Sequence, residues 1–502
     1  MRVPRVKWLN YLLVLTLFNV TLHLCYVYFL LQAHDSMDHT ANNIYTFEQA
    51  LILCKREIIY REAGVAIKQA LSHVDANNSM VIAGKNDGEE LGIHPENFTR
   101  LQLSLEPSEA AFDRWRLFKI HNFAVKADKW PQLSEQAVCI GTHASVERMH
   151  WLVQMANRWS GPISVALFVP DVEFGIAKAF IEYLRNCYPR VREQVAFHMI
   201  YPEEYPPRNL SHLEGILDSI PCESPHVVIG NLLTLRPVEM TGWRETLRYP
   251  QNLARNTAKH GCATPYTIVP DSDMIPIPGM AEQLEEFLTR KEQEECDKCA
   301  YVIPVYEIKS SIGRDSMPAN KSELMFLVER YYARRFHQTV YLLNQLSSDL
   351  DRWEALQMQP QTELAFEVTN YLFKYEPLYV AKGETPIFDE RFIGFGMTRN
   401  TQAYEMYVAG YTFHVLNNLF MNHWGLQKRE TRPRWRQLQH LLNNRLFKGF
   451  AKEIAARYNR DPYNMLEKIE LPGFWGVKNV SDINLGVPGQ ADIAEIYKHE
   501  KE

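Results

Sequence analysis

Two aspartates one residue apart close a short apolar run, Tyr266-Thr-Ile-Val-Pro-Asp271-Ser-Asp273-Met-Ile-Pro276. In an extended segment, side chains two apart share a face, so both carboxylates can reach one point just beyond the strand. Such an oxygen pair suits a hard divalent cation, Mg²⁺ or Mn²⁺, that keeps open positions for phosphate oxygens. Alone, an Asp-x-Asp in a surface loop is most often a solvated turn or an Asx cap. Three later clusters can surround it: Tyr301-Val-Ile-Pro-Val-Tyr-Glu-Ile308; Tyr375-Glu-Pro-Leu-Tyr-Val with Pro386-Ile-Phe-Asp389-Glu390-Arg391-Phe-Ile-Gly394-Phe-Gly396; and Gly410-Tyr-Thr-Phe-His-Val-Leu-Asn, which closes at Phe420-Met-Asn-His423-Trp-Gly425.

The elements that must place these residues begin at Ala137. Ala137–Gly141 reads as a strand, Ser145–Arg158 as a helix, Ile163–Val169 as a strand, Glu173–Asn186 as a helix and Val195–Ile200 as a strand. A further helix, Asn252–His260, leads into the Tyr266 strand, and Tyr301–Ile308 reads as one apolar strand. Alternating strands and helices make parallel βαβ units, so the expected class is α/β. Ligands of open parallel sheets bind beyond the carboxyl ends of strands, where Asp271 and Asp273 fall.

The 502 residues exceed what that domain needs. Arg2, Arg5 and Lys7 precede an apolar stretch from Trp8 to Leu31, long enough to span a bilayer as a signal anchor with its positive flank in the cytoplasm. The expected organisation is a cytoplasmic tail over 1–7, an anchor over 8–31, a lumenal stem over 32–130, a catalytic domain over 131–427 and a C-terminal helical extension over 428–502 with a helix at Trp435–Tyr458. A lumenal body predicts disulfides among the cysteines beyond Cys25 and N-glycans at Asn77, Asn97, Asn209, Asn320 and Asn479. Cys296-Asp-Lys-Cys299 has no second ligand pair at zinc spacing and reads as a loop disulfide. Phe47, Leu51, Cys54 and Ile58 form a brief seam, suited to packing on the body more than to a homodimeric coiled coil, which needs more heptads. A net charge of -6 without a long basic run argues against nucleic acid.

Asn252-Leu-Ala-Arg-Asn, Asp271-Ser-Asp-Met-Ile-Pro, Tyr375-Glu-Pro-Leu-Tyr-Val, Phe388-Asp-Glu-Arg-Phe, Val408-Ala-Gly-Tyr and Asn422-His-Trp-Gly, in this order and spacing, resemble glycosyltransferase family 49. The resemblance spans roughly Ala137 to Gly425. It implies a GT-A-type fold and a Mn²⁺-dependent inverting glucuronyl transfer from UDP-glucuronate to a xylose-terminated O-mannosyl-type glycan, with a β-1,4 linkage. It also implies a Golgi type II membrane protein working on a glycoprotein acceptor beside other glycosyltransferases. The metal ligands it implies are Asp271, Asp273 and His423.

An inverting transfer needs a base for the acceptor hydroxyl. Many inverting GT-A enzymes use an acidic residue in a Gly-x-Glu-Asp element, but here Met397, Thr398 and Arg399 follow Gly396. Asp389 and Glu390 are the nearest carboxylates and Glu405 a third; Asp389 can instead pair with Arg391 or cap a helix. Arg255, Arg391 and Arg399 lie in matching motifs and offer bidentate forks for the donor's carboxylate, or else make structural ion pairs. Tyr306, Tyr379, Phe388 and Trp424 could stack on sugars or belong to the core. Two other readings remain: a family member using UDP-xylose or UDP-N-acetylglucosamine, and an idle lumenal scaffold for partner transferases.

Overall fold

The computed structural model describes residues 110–208, 210, 222–291, 296–428 and 433–466. The expected tail and anchor, residues 32–109 of the expected stem, Cys25, Cys54, and the sequons at Asn77, Asn97, Asn209 and Asn479 lie outside them, whereas residues 110–130 of that stem are described and contribute two strands to the larger sheet. Among the described residues no helix is long and apolar enough to cross a membrane.

Two sheets carry the fold. The larger combines β1 (Ala111–Phe112), β2 (Phe118–Val125), β3 (Val138–Ser145), β4 (Ile163–Phe168), β5 (Val195–Pro202), β6 (Tyr266–Ile268), β8 (Cys299–Val302), β11 (Leu364–Glu367), β12 (Tyr379–Lys382) and β13 (Thr412–Leu416) in the order β1-β2-β5-β4-β3-β6-β12-β8-β13-β11. The smaller has the order β10-β9-β14-β7, from β7 (Met274–Pro276), β9 (Val305–Ile308), β10 (Ala333–Arg335) and β14 (Met421–Trp424). The principal helices are α1 (Trp151–Arg158), α2 (Val172–Cys187), α3 (Gln251–Gly261), α4 (Arg399–Val408) and α5 (Arg434–Arg457).

The parallel unit expected from the sequence is present. β3, β4 and β5 pair in parallel, stepping outward, and β6 then returns to pair in parallel on the other side of β3. The direction of winding reverses between β3 and β6, which opens a crevice at their carboxyl ends. All six residues of β4 are buried, as expected for a strand covered on both faces. The disulfide Cys139–Cys262 ties β3 to the end of α3, Cys187–Cys222 closes a second loop, and Cys296–Cys299 is the expected loop disulfide.

The sequence reading needs two local corrections. Tyr301–Ile308 is not one strand: β8 ends at Val302 and β9 begins at Val305 in the other sheet. Pro304 stands at the break, where it has no N–H to offer a ladder. Ser145–Arg158 is not one helix either, because β3 runs to Ser145 and a 3₁₀ turn, Val146–Arg148, precedes α1. The expected C-terminal helix forms as α5, which buries Phe447, Phe450, Ala451 and Ile454 against Phe392, Tyr404 and Val408.

Candidate active site

Asp271 leaves β6 at the reversal point, and three cationic or ionisable groups converge on its Oδ1. Arg399 Nη2 lies at 2.8 Å, Arg255 Nη2 at 3.1 Å and His143 Nε2, from β3, at 3.4 Å. Each arginine is fixed by other bonds. Arg399 Nη1 donates to the Val269 carbonyl at 2.6 Å, and Arg255 Nη1 donates to Asn252 Oδ1 and Thr398 Oγ1, each at 3.1 Å. Burial opposes charge on Asp271, yet Arg399 and then Arg255 overcome it and hold the carboxyl well below its usual value. His143 donates to or accepts from the Tyr249 hydroxyl at 2.8 Å through Nδ1, and burial lowers its pKa.

Asp273 takes a different neighbour. The antiparallel register of β7 and β14 sets His423 opposite Met274, the residue after Asp273, and brings His423 Nε2 to 3.6 Å from Asp273 Oδ2. His423 Nδ1 lies 3.1 Å from the Gly425 carbonyl. A carbonyl only accepts, so Nδ1 carries a proton; burial lowers the His423 pKa, but Asp273 outweighs it, the net direction is up, and a second proton on Nε2 is favoured where it faces the carboxylate. Burial raises the Asp273 pKa, but His423 and then Arg148, at 3.8 Å, outweigh it and the net direction is down.

This donor set fits a divalent cation: a carboxylate and an anchored imidazole nitrogen side by side, with a second carboxylate two residues away. It departs from the expected geometry in one respect. Asp271 is drawn toward the arginines, and among the described residues no three His, Cys, Asp or Glu side chains are closed into one ligand cluster. The three ion-pair contacts to Asp271 described above all fall on Oδ1.

Asp271, Asp273 and His423 line one cavity of about 1040 Å³ together with Arg255 and Arg399. The other sequence candidates are elsewhere. Asp389 is bound by Arg391, whose Nε lies 3.0 Å from both carboxylate oxygens, and Arg391 also reaches Glu453 at 2.8 Å. Glu390 accepts from Asn256 Nδ2 at 2.9 Å, and Glu405 pairs with Arg457 at 2.7 Å. None of these four residues lines the cavity, so neither Asp389 nor Glu390 is placed as its base and Arg391 is not placed on a donor there. The bland alternative for Asp389, an ion pair with Arg391, is the one realised. Of the four candidate aromatics, Trp424 lines the cavity, while Tyr306 and Phe388 are core residues and Tyr379 is tied to Gln402. Asn320 caps a helix, accepting from Glu323 N–H at 3.0 Å.

The cavity holds residues that sequence reasoning missed. Glu376 is its third carboxylate, and Lys374, Arg148, Lys428 and Arg436 join Arg255 and Arg399 to make six basic side chains. Arg436 and His440 come from α5, so the helix expected to be an extension supplies part of the wall. The Gly394-Phe-Gly396 turn makes this approach close: both glycines have positive φ, and a Cβ at Gly396 would stand 2.4 Å from His440 Nδ1. The available signal for Glu376 was its motif, an acid set between an aromatic and a proline.

Comparison with known proteins gives the family of the chain. Residues 137–459 match the protein family described as "Glycosyl-transferase for dystroglycan". Human beta-1,4-glucuronyltransferase 1 is 31% identical over 331 residues, 65% of this chain and 77% of that protein, and the Danio rerio protein of that name is 28% identical over 65% and 75%. Mouse xylosyl- and glucuronyltransferase LARGE1 is 23% identical over 66% of this chain and 38% of its own length. Among solved structures, GalNAc-T7 with UDP, GalNAc and Mn²⁺ overlaps with a TM-score of 0.34 at 9% identity, covering 66% and 56% of the two chains. The chain, mixed α/β in fold, is an enzyme that belongs to the glycosyltransferase family so described.

Proposed function

We propose that this protein is a Mn²⁺-dependent inverting glucuronyltransferase of GT-A architecture that moves glucuronate from UDP-glucuronate onto a xylose-terminated O-mannosyl-type glycan in a β-1,4 linkage. The acceptor is carried on a glycoprotein, and the enzyme works in the Golgi lumen on a type II membrane anchor. Disulfides within the body accord with an oxidising compartment.

The observation that carries this reading is the cavity in which the Asp273–His423 pair adjoins the Arg255–Arg399 pair clamped on Asp271. Asp273 and His423, with Asp271, would hold the cation, which supplies Lewis-acid neutralisation of the departing diphosphate. The six basic side chains against three acidic ones leave a surplus of positive charge suited to a diphosphate plus a glucuronate carboxylate. Arg255 and Arg399 are held rigidly by Asp271, Thr398 and Val269, so they cost little to order around a bound donor. Trp424, braced by Nε1 on the Ile312 carbonyl at 2.9 Å, offers an apolar face to a sugar ring.

The test is a donor panel of UDP-glucuronate, UDP-xylose and UDP-N-acetylglucosamine with purified lumenal protein, Mn²⁺ and a β-xyloside acceptor. Glucuronate should be transferred. Transfer of another sugar in its place would overturn the donor assignment, and transfer from none would favour the scaffold reading.

A further inference from the structure

The sequence places a base near Phe388-Asp-Glu-Arg, but both of that motif's carboxylates are engaged away from the cavity. The cavity's own acids are Asp271, Asp273 and Glu376. The first is committed to two guanidiniums, and the second faces His423 and would hold the cation. Glu376 is the remaining one.

We propose that Glu376 is the general base that takes the proton from the acceptor hydroxyl, with Asn344 as its positioning residue; this rests on the transferase reading above. In the step, the acceptor oxygen bonds to the donor's anomeric carbon as its O–H proton passes to a Glu376 carboxylate oxygen. The anomeric carbon–phosphate oxygen bond breaks, and its electron pair leaves with UDP. Atoms and charge balance without another reactant.

Asn344 grips Glu376 at two points. Its Nδ2 donates to Glu376 Oε2 at 2.7 Å, and its carbonyl accepts from the Glu376 N–H at 3.0 Å. Pro377 restricts the Glu376 backbone to extended conformations. Tyr375, fully buried, is pinned through its hydroxyl to Ser348 at 2.6 Å. Neighbours on both sides are therefore fixed, and the side chain has one bonded oxygen, leaving Oε1 outside the Asn344 bond. Burial pushes the Glu376 pKa up, against the opposing pull of Asn344, Arg399 and Arg255, while Asp271 adds to the rise. Lys374, two residues earlier, also interacts with it electrostatically. A carboxylate moved upward from its ordinary value accepts a proton more readily.

Glu376→Gln keeps the shape and the Asn344 bond and removes the basicity. It should lower kcat by about 10² to 10⁴-fold, while Mn²⁺-dependent UDP binding, measured by calorimetry, stays within about threefold of wild type and shows that the variant is folded. Retention of kcat within about fivefold, or a matching loss of UDP binding, would overturn the assignment. A second measurement uses the acid limb of the pH profile of kcat/KM. Asn344→Ala removes a bond to the charged form, so that limb should move to higher pH with UDP affinity unchanged; an unmoved limb would overturn Asn344's role in setting the base. A wild type that transfers no sugar from any donor sinks both this proposal and the reading beneath it, whereas active wild type with an active Glu376→Gln sinks this one alone.

Discussion

Asp271 shows how the surroundings of a carboxylate decide what it serves. An Asp-x-Asp suggests two equivalent ligands, yet Arg255 and Arg399 are almost fully buried and need an anion, which Asp271 supplies. Arg255→Leu should therefore destabilise the fold by about 2 kcal/mol, less than the penalty for stranding a buried charge because Asp271 keeps Arg399 and is partly exposed, measured as a shift in urea midpoint. A loss under about 1 kcal/mol would show that Arg255 is dispensable to the fold and free to serve a ligand alone. Asp271, Asp273, Arg255, Arg399 and His423 were all legible in the sequence because each sits in a motif whose spacing the fold preserves. For Asp389 the sequence left a base and an ion pair both open because its motif is dense in charge, and Arg391 two residues on satisfies it locally. Glu376 was passed over as one acid in an apolar run, since what singles it out is Asn344, brought close only by the fold.

The strands and helices from β3 to β6 follow from the sequence because buried parallel strands read as continuous apolar runs and their helices as periodic ones. The breaks were harder to see. Pro304 diverts one apolar run into two sheets, which is what lets β9 support β14 and His423 through parallel pairing. The turn at Val146–Arg148 likewise places Arg148 within 3.8 Å of Asp273. The contact of α5 with the Gly394-Phe-Gly396 turn depends on backbone that other residues disfavour. Phe395 N–H donates to Gln439 Oε1 at 2.8 Å, and Asn443 Nδ2 donates to the Gly396 carbonyl at 2.9 Å. Gly396→Ala adds a left-handed penalty to a collision with His440, so it should cost about 2 to 3 kcal/mol and lower activity by shifting the α5 wall. Gly279→Ala is the control: φ there is +73°, but a Cβ would find only Gln283 Nε2 at 3.8 Å, so about 1 kcal/mol is expected. Equal losses in the two variants, by chemical denaturation, would show that α5 packing at Gly396 is not close.

The complete cavity draws on both sheets and on α5. The segment after β6 contributes Asp271 at the winding reversal, the small sheet contributes His423, the segment before β12 contributes Glu376, and α5 contributes Arg436 and His440. The architecture class and the end of the sheet at which the site lies could be read from alternating elements. The joining of a second sheet and a C-terminal helix to that end could not, because those contacts join residues far apart in the chain and leave no periodic trace. The proposed function has this one cavity perform cation-dependent glucuronyl transfer. It is tested most directly by measuring transfer from UDP-glucuronate to a β-xyloside by wild type and Asp273→Asn, each with Mn²⁺ and with a chelator. The account predicts transfer by wild type with Mn²⁺ only, and a loss of about 10²-fold or more in the variant at unchanged secretion. Full activity in Asp273→Asn, or in wild type with chelator, would contradict it.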